Sequence, residues 1–447
     1  MKEQKNICFV SNFHKTPLYE AIAKELTHEY GYDAFFIAAN QNELDALKKN
    51  WKAECILDAT IENIGRYQPS GRLIKYNEIV LRDRVMRHNI SGGIDYLTRL
   101  ASAVEKFIDD NLISHIFGEI TWAHEILISR AARERVKSIP YSIPHTIRIP
   151  NNRFSFFGDE FQSDISQVPL SPMDADGSIE ICAPNYLAIN NKITQNERQI
   201  GSRIAKIRRF ITGENRRNND PTSFFINRTE NFFVKAAIEV NRELLRFSNF
   251  TQEIPNEPFV FMTLHKQPEA SIDVCGRYYE DQEANILNTW RCLPPGWRLV
   301  VKEHSNALGD RGPLFFRKLA KLPGVKFADP IASSGDFIKN CECVITVTGT
   351  AAYEAALMEK PALTLAPCFF NRFPTCRRIS LDDLRNCSSI LDLMPEKNAF
   401  GQSEASKYIL THSAAGNISD VVSDPSVISK QNIKLLAKGF STYLASL

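Results

Sequence analysis

The turn Thr348-Gly349-Thr350 is the part of this sequence whose residue types best suit phosphate binding. It follows the apolar run 344–347 and precedes an alanine-rich run that ends at Lys360-Pro361. This pattern predicts a strand, a tight turn and a short helix, because proline cannot continue a helix. The first N–H groups of a helix have no partner within it, and glycine lets a ligand approach the backbone. The turn therefore predicts a phosphate site, with Thr350 as a simple helix cap as the alternative.

A phosphate site also needs cations, because the helix field contributes only ~0.3–1 kcal/mol to an anion, whereas each charge-assisted hydrogen bond contributes roughly 1.5–3 kcal/mol. Lys302 and His304 lie two residues apart at the end of a predicted strand, so their side chains share one face. Glu354 lies one helical turn after Thr350 and is placed to accept hydrogen bonds from a ribose. The alternatives are a solvated lysine, a histidine at the edge of the core and a surface glutamate.

Four predicted strands in the second half of the chain end in polar residues. Because the carboxyl ends of parallel strands meet at one edge of a sheet, these residues are expected to form one ligand site. His265 and Gln267 follow the strand predicted at 259–264, and Lys302 and His304 follow the one at 297–301. Ser333 and Ser334 follow the strand predicted at 325–328, and Thr348, Gly349 and Thr350 follow the one at 344–347.

The first half of the chain also alternates predicted strands with helices, which favours βαβ units and a Rossmann-like domain. Asn12 and His14 follow its first strand. Glu119 follows a later strand, and His145 stands near the end of the last one. Glu119 is the candidate general base, with His14 and His145 as alternatives at the same edge of the sheet. The competing interpretation of Glu119 is that its carboxylate caps the next helix.

Length and composition limit the class of protein. A chain of 447 residues is too long for one ordinary core, so two domains are expected. With 43% apolar and 24% charged residues it is typical of a globular protein, and a formal charge of +2 excludes a strong global field for nucleic acid. No apolar run approaches the ~20 residues that span a bilayer. The first residues are not expected to form a secretory signal, and ten cysteines without a CxxC pair predict reduced thiols in a cytoplasm.

The middle of the chain has a weaker pattern. Residues 151–190 are expected to be irregular, and helix formers dominate 185–210 and 223–247, with a turn or exposed loop at 213–221. Four basic residues in the first of these helices indicate a solvated face, with an anionic acceptor or a membrane surface as the alternative contact. They are Arg203, Lys206, Arg208 and Arg209.

Several motifs of the second half occur in the order found in a known family. They are the runs 264–271, 276–282 and 295–297, then Lys302-Glu303-His304, then the run 344–361. Together they resemble bacterial capsular polysaccharide synthesis proteins, a family that includes the β-Kdo transferases of the lipid-proximal capsule linker. The resemblance covers about residues 259–375. Over the first half it is confined to Gly118-Glu119 and its surroundings. The family's QP motif is matched by Gln267-Pro268, and its HP motif is matched in part by His304-Ser305.

The resemblance implies a GT-B fold, an α/β architecture of two Rossmann-like domains that face each other across a cleft, with a helical insertion. The implied boundaries are 1–150 for an acceptor domain, 151–255 for an irregular and helical insertion, 256–425 for a nucleotide-sugar-binding domain, and 426–447 for a C-terminal helix long enough to pack back on the first domain.

The activity that the resemblance implies is glycosyl transfer, with Kdo among the candidate sugars, from a nucleotide sugar to a capsule or surface-polysaccharide acceptor. His304, Lys302, Thr348 and Thr350 would neutralise the donor phosphates, and Gln267, Ser333, Ser334, Gly349 and Glu354 would complete the donor site. Glu119, His304 and His14 would be catalytic, and Asn12, His14 and His145 would bind the acceptor.

No DxD pair stands at this edge, so transfer without a metal is expected, as in GT-B enzymes generally. No cofactor is expected besides the nucleotide-sugar donor, with CMP-, UDP- and GDP-linked sugars left open. The expected partners are that donor and a glycan or glycolipid acceptor. The protein is expected to be cytoplasmic, and contact with the inner membrane or with capsule assembly proteins stays open. Two other classes remain: a sugar-nucleotide epimerase or hydrolase on the same frame, and a non-catalytic polysaccharide assembly protein that keeps a nucleotide pocket.

Overall fold

The computed structural model describes residues 5–168, 220–222, 228–396, 402–422 and 424–447. The chain divides into two compact units. Unit 1 comprises Met1–Gly158, Ser166–Ile226 and Leu410–Leu447, and unit 2 comprises Asp159–Ile165 and Asn227–Ile409. Each unit is built around one sheet, and strands and described helices are numbered below in chain order.

The sheet of unit 1 has seven strands in the spatial order β13-β6-β5-β4-β1-β2-β3. Its first five strands pair in parallel, and β6 and β13 add antiparallel partners at one side. The strands are Asn6–Val10 (β1), Asp33–Ala38 (β2), Ile56–Asp58 (β3), His115–Phe117 (β4), Tyr141–Thr146 (β5), Arg153–Phe157 (β6) and Ala414–Ala415 (β13).

Seven described helices belong to unit 1, among them one at the C-terminal end of the chain. They are Thr16–Tyr30 (α1), Gln41–Leu47 (α2), Ile61–Ile64 (α3), Tyr76–Arg82 (α4), Ile90–Asp110 (α5), Ala123–Arg133 (α6) and Lys430–Ala445 (α15). The last helix packs against α1, and its fully buried Phe440 ring lies among the rings of Phe9, Phe117 and Phe156. Aromatic packing thus joins the two ends of the chain in one core.

The sheet of unit 2 has six strands, all parallel, in the order β12-β11-β10-β7-β8-β9. The strands are Phe259–Thr263 (β7), Arg298–Lys302 (β8), Val325–Ala328 (β9), Cys343–Thr346 (β10), Ala362–Thr364 (β11) and Cys376–Arg378 (β12). They are short and rich in buried apolar residues, the composition of strands that are covered on both faces.

The described helices of unit 2 connect these strands or flank them. They are Arg228–Leu244 (α7), Ala270–Asp273 (α8), Gln282–Arg291 (α9), Pro313–Leu319 (α10), Ser334–Asn340 (α11), Thr350–Leu357 (α12), Leu381–Asn386 (α13) and Gln402–Thr411 (α14), whose last two residues belong to unit 1. The predicted α/β class with two Rossmann-like sheets is confirmed.

Helices α4 and α5 are separated after Arg82, where the Asp83 carboxylate accepts hydrogen bonds from the N–H groups of Val85, Met86 and Ala123. Two local predictions differ from the structure. Residues expected to be irregular form β6, which pairs with β5 as a hairpin. Asp220 belongs to the stretch expected to form a turn or exposed loop; a turn does follow it, but Asp220 is buried and accepts a hydrogen bond of 2.7 Å from Asn40 Nδ2.

The basic residues Arg203, Lys206, Arg208 and Arg209, and the helix predicted at 185–210, lie outside the described residues. Within the part of the chain that the structure does describe, no helix combines the length and the apolar character needed to cross a membrane.

Candidate active site

A row of polar residues crosses the carboxyl edge of the unit 2 sheet. Lys302 in β8 pairs in register with Thr263 in β7, and Thr346 in β10 pairs with Thr364 in β11. Arg378 in β12 is in turn the register partner of Thr364. The Thr263 hydroxyl donates to Thr346 Oγ1 over 3.1 Å, which joins the two halves of the row. Neighbouring register partners point to the same face of a sheet, so this edge carries a row of hydroxyl groups between two cations, in which Thr346 and Thr364 are fully buried.

The turn 348–350 leaves this edge where α12 begins. Thr350 is the first helical residue, and Gly349 takes the N-cap position with an extended backbone and no side-chain cap. The alternative interpretation, in which Thr350 is the helix cap, is therefore wrong. The Thr348 hydroxyl is used within the fold, since it donates to the Ser271 carbonyl oxygen over 2.7 Å. The groups left for an anion are the first N–H groups of α12 and the half-buried Thr350 hydroxyl.

His265 holds the turn 348–350 in place through hydrogen bonds. Its buried Nε2 accepts a hydrogen bond from the Thr348 N–H over 3.2 Å and lies 3.2 Å from Thr346 Oγ1. The Gly349 N–H donates to the same Thr346 oxygen over 3.2 Å. A Cβ atom at Gly349 would lie 2.6 Å from Thr346 Oγ1, so the turn requires glycine there. These contacts fix the direction in which the start of α12 points.

Gln267, predicted to bind the donor, is engaged inside unit 2. Its side-chain oxygen accepts from Gln282 Nε2 over 3.0 Å, and its amide donates to Asp273 over 3.2 Å. Gln282 also makes two hydrogen bonds with the backbone of His265. The structure thus gives Gln267 and Gln282 the role of holding the His265 loop.

Lys302 is buried, and its Nζ donates to the Pro330 carbonyl oxygen over 2.9 Å. Burial lowers the pKa of Lys302, although three nearby carboxylates oppose this by favouring its charged form. They are Asp329, Glu303 and Glu354. The Glu354 carboxylate therefore favours the charged form of Lys302, and donor binding by these two residues stays a prediction. An ammonium with one fixed partner keeps two more N–H donors for a phosphate.

His304 stands at the start of a short 3-10 turn, half-buried, where its Nδ1 accepts from the Asn306 N–H over 3.2 Å. The preceding Glu303 is almost fully buried and pairs with Arg311, 2.7 Å from each carboxylate oxygen. This buried ion pair holds the loop that carries Lys302 and His304. Removing one partner of such a pair leaves an uncompensated charge, so the loop is strongly fixed.

Ser333 and Ser334 lie at the start of α11. Ser333 is the exposed N-cap residue, without a side-chain cap, and Ser334 is the first helical residue. The helix spans seven residues. Their place at the carboxyl edge of β9 agrees with the predicted position of these two serines, while their role in donor binding stays a prediction.

Glu119 lies at the edge of the unit 1 sheet, after β4, and is nearly buried. Its carboxylate forms an ion pair with Lys15 and lies 3.5 Å from the Tyr19 hydroxyl, while its carbonyl oxygen accepts from the Tyr141 hydroxyl over 2.6 Å. Burial opposes ionisation, but the ion pair with Lys15, the nearby His145 and the hydrogen bonds outweigh it and lower the pKa of Glu119. The Glu119 side chain is thus an ionised carboxylate whose charge is balanced by the Lys15 ammonium.

Gly118 makes this arrangement possible. A Cβ atom at this position would lie 2.2 Å from the Tyr141 hydroxyl and 2.9 Å from Val10 Cβ. Only glycine therefore lets Tyr141 reach the Glu119 backbone and fix the loop after β4.

The two histidines of this edge differ in their surroundings. His145 in β5 is half-buried, and its Nδ1 lies 2.8 Å from the Thr146 carbonyl oxygen. Burial lowers the pKa of His145 to about 4, so its ring is neutral at physiological pH. His14 is exposed in a short 3-10 turn, and its carbonyl oxygen lies 3.5 Å from the Val421 nitrogen.

Asn12 is tied to a carboxylate that the sequence analysis did not single out. Its Nδ2 donates to Glu125 Oε1 over 2.6 Å. The other Glu125 oxygen accepts from the N–H groups of Thr121 and Trp122, over 2.6 and 3.0 Å. Burial, with a smaller contribution from Glu119, raises the pKa of Glu125 to about 8. Asn12 therefore positions the start of α6, and acceptor binding by its side chain stays a prediction.

Four contributors were absent from the predicted site: Lys15, Glu125, Thr346 and Arg378. Glu125 carried a usable signal, since a glutamate three residues after a helix N-cap is typical of a capping box. The partnership of Lys15 with Glu119 joins positions 104 residues apart, which no local pattern reveals. Among the described residues, no group of three or more histidine, cysteine, aspartate or glutamate side chains is arranged to hold a metal ion.

No protein-family model matches the chain, and no curated protein matches it. Among solved structures it is similar to a β-Kdo 2,7-transferase (KpsC) of Thermosulfurimonas dismutans, at 13% identity and a TM-score of 0.36, over 74% of this chain and 89% of that one. It is also similar to a UDP-GlcNAc 2-epimerase of Neisseria meningitidis bound to UDP-GlcNAc, at 12% identity and a TM-score of 0.29, over 99% and 100% of the two chains.

A third similar structure is the calicheamicin glycosyltransferase CalG4, at 11% identity and a TM-score of 0.29, over 100% of this chain and 99% of that one. All three TM-scores lie below 0.5, so these similarities carry no argument about function.

Proposed function

We propose that this protein is a glycosyltransferase that moves a sugar from a nucleotide-sugar donor to a glycan or glycolipid acceptor, with the donor bound by unit 2. The observation that carries the proposal is the start of α12 at the carboxyl edge of the sheet, with the buried Lys302 ammonium at the same edge. Backbone N–H groups and a desolvated cation are the donors that a phosphate prefers.

The chemistry follows from the position of these charges. When the bond between the anomeric carbon and the phosphate oxygen breaks, negative charge grows on the departing nucleotide. The N–H groups of α12 are already oriented by the contact of the turn with His265, and the Lys302 ammonium by its hydrogen bond to the Pro330 carbonyl oxygen, so they stabilise that charge without rearrangement. Glu354, whose charge favours the charged form of Lys302, accepts hydrogen bonds from the ribose in this proposal.

The motifs that resemble capsular polysaccharide synthesis proteins favour a CMP-linked sugar such as CMP-Kdo as the first donor to test. The acceptor is then a growing surface polysaccharide or its lipid-linked start. His304 belongs to the donor site in this proposal, as the second group that faces the leaving phosphate.

The proposal predicts that one of the nucleotides CMP, UDP and GDP raises the melting temperature, because a ligand of the folded state alone stabilises it by ~2.7 kcal/mol at a concentration 100 times Kd. Lys302→Met should reduce the affinity about 10-fold or more, since a charge-assisted hydrogen bond is lost. Lys326→Met, an exposed lysine of the neighbouring β9, is the matched control. The measurement is thermal unfolding over a nucleotide titration.

No stabilisation by any of the three nucleotides would contradict the proposal. Analysis of the products separates the competing classes of protein. Consumption of a nucleotide sugar that added glycan acceptors do not accelerate indicates an epimerase or hydrolase, and nucleotide binding without any turnover indicates an assembly protein.

A further inference from the structure

We propose that His145 is the group that takes the proton from the acceptor hydroxyl, and that the carboxylate of Glu119, ion-paired with Lys15, balances the charge of the imidazolium. This assignment rests on the proposed function and names the catalytic base, for which Glu119 was the first candidate from sequence. Three features of the unit 1 edge carry it: the tautomer of His145, the ion pair of Glu119, and the polarity around the imidazole ring.

The tautomer follows from one hydrogen bond. His145 Nδ1 lies 2.8 Å from the Thr146 carbonyl oxygen, and a carbonyl oxygen can only accept. Nδ1 therefore carries the ring proton, and Nε2 carries the lone pair. Among the described residues, none forms a hydrogen bond with Nε2, and the side chain is only half-buried. A neutral imidazole that is held by one nitrogen and free at the other is suited to accept a proton.

Glu119 is less suited to this task. One of its oxygens already accepts from Lys15 Nζ and lies 3.5 Å from the Tyr19 hydroxyl, so this oxygen already has two partners. Taking up a proton would also break the ion pair and leave the Lys15 ammonium without its partner in a mostly buried place. The carboxylate is therefore better suited to remain charged through the reaction.

The groups around His145 keep its ring neutral until the reaction. Burial has the largest effect on the His145 pKa, followed by Glu119, which favours the protonated ring, and by Lys15 and Arg148, which oppose it. The Phe157 ring meets the imidazole edge to face, with 6.5 Å between ring centroids. Once the proton arrives, Glu119 is the nearby negative charge that stabilises the imidazolium.

The proposed step conserves atoms and charge. The acceptor O–H bond breaks, its proton goes to His145 Nε2, and the electron pair on oxygen forms the new bond to the anomeric carbon. The bond from that carbon to the donor phosphate oxygen breaks, and its electron pair leaves with the nucleotide. The imidazolium then returns its proton to the solvent, so no oxidant, reductant or further reactant is needed.

The test compares His145→Asn with Glu119→Gln and with His28→Asn, an exposed surface histidine of the same unit. Asparagine can still donate to the Thr146 carbonyl oxygen, but it has no basic nitrogen. CMP-Kdo, UDP-N-acetylglucosamine and GDP-mannose serve as donors, each with water as the acceptor. We expect His145→Asn to lower the enzymatic turnover about 10²–10⁴-fold, with unchanged nucleotide affinity and melting temperature.

A pH profile separates a base from a structural residue. The wild-type kcat/KM should stay level as the pH falls to about 5 and decline only toward pH 4, because protonation of Nε2 removes the base. In His145→Asn this acid limb should disappear.

Two outcomes overturn the assignment in distinguishable ways. If the wild type turns over a donor and His145→Asn keeps that turnover, only the role of His145 is wrong, and a complete loss in Glu119→Gln would then return the role to Glu119. If the wild type turns over none of the three donors, the proposed function and this assignment fail together.

Discussion

Replacing Gly349 by alanine is expected to weaken nucleotide binding by at least 10-fold. A Cβ atom there would lie 2.6 Å from Thr346 Oγ1 and 3.3 Å from Thr263 Oγ1, which is too close for either hydroxyl to stay in place. The turn must then shift, and the first N–H groups of α12 no longer point where His265 and Thr346 direct them. Each charge-assisted hydrogen bond lost corresponds to roughly 1.5–3 kcal/mol, which is about 10–150-fold in affinity.

Gly335→Ala is the matched control for this substitution. Its Cβ atom would lie 3.6 Å from Ser333 Oγ, an ordinary van der Waals contact, in the helix that precedes β10. The two variants are compared by calorimetric titration with the nucleotide that stabilises the wild type. Wild-type affinity in a folded Gly349→Ala protein would show that the turn does not contact the phosphates.

Replacing Phe440 by alanine is expected to lower the free energy of unfolding of unit 1 by about 3–5 kcal/mol, the usual cost of deleting a buried phenylalanine ring. The ring is fully buried, and its centroid lies 4.8 Å from that of Phe117 and 4.9 Å from that of Phe156. The strands that carry Glu119 and His145 belong to this sheet, so the variant should also lose turnover as it unfolds.

Leu435→Ala in the same helix is the control, because Leu435 is 40% exposed. Urea unfolding followed by the fluorescence of the unit 1 tryptophans reports on both variants, and surface substitutions usually change stability by less than ~0.5 kcal/mol. Equal unfolding midpoints for the two variants would mean that the C-terminal helix is not part of the unit 1 core.

The parallel strands of both sheets, except β12, could be predicted from the sequence because they are short apolar runs, followed by turns and helical patterns. Strand β12 carries two exposed arginines and was not predicted. The strand at 343–346 and the helix at 350–357 were predicted within a residue or two, since Gly349 and Pro361 mark their limits clearly. The hairpin strand β6 was missed although its first four residues alternate polar and apolar types, because the run is short and lies between the turn-forming residues 150–152 and 158–159. Its burial depends instead on packing against Phe440 and other distant rings.

The site was predicted only in part for a similar reason. The position of each polar residue at a strand end follows from local pattern, as for Lys302 at the end of β8 and for Thr348, which follows β10. The partners of these side chains do not follow from pattern, because they come from other strands. The sequence does not indicate that Lys15 forms an ion pair with Glu119, or that the Thr348 hydroxyl donates to the Ser271 carbonyl oxygen.

Hydrogen exchange measured by mass spectrometry, with and without saturating nucleotide, tests the central claim most directly. That claim is that the first N–H groups of α12 bind the donor phosphates. The account predicts slower exchange in the peptide 346–354, because its exposed amides become donors to the phosphate, and a smaller effect around Lys302. Unchanged exchange in that peptide at saturation, or protection confined to unit 1, would contradict it.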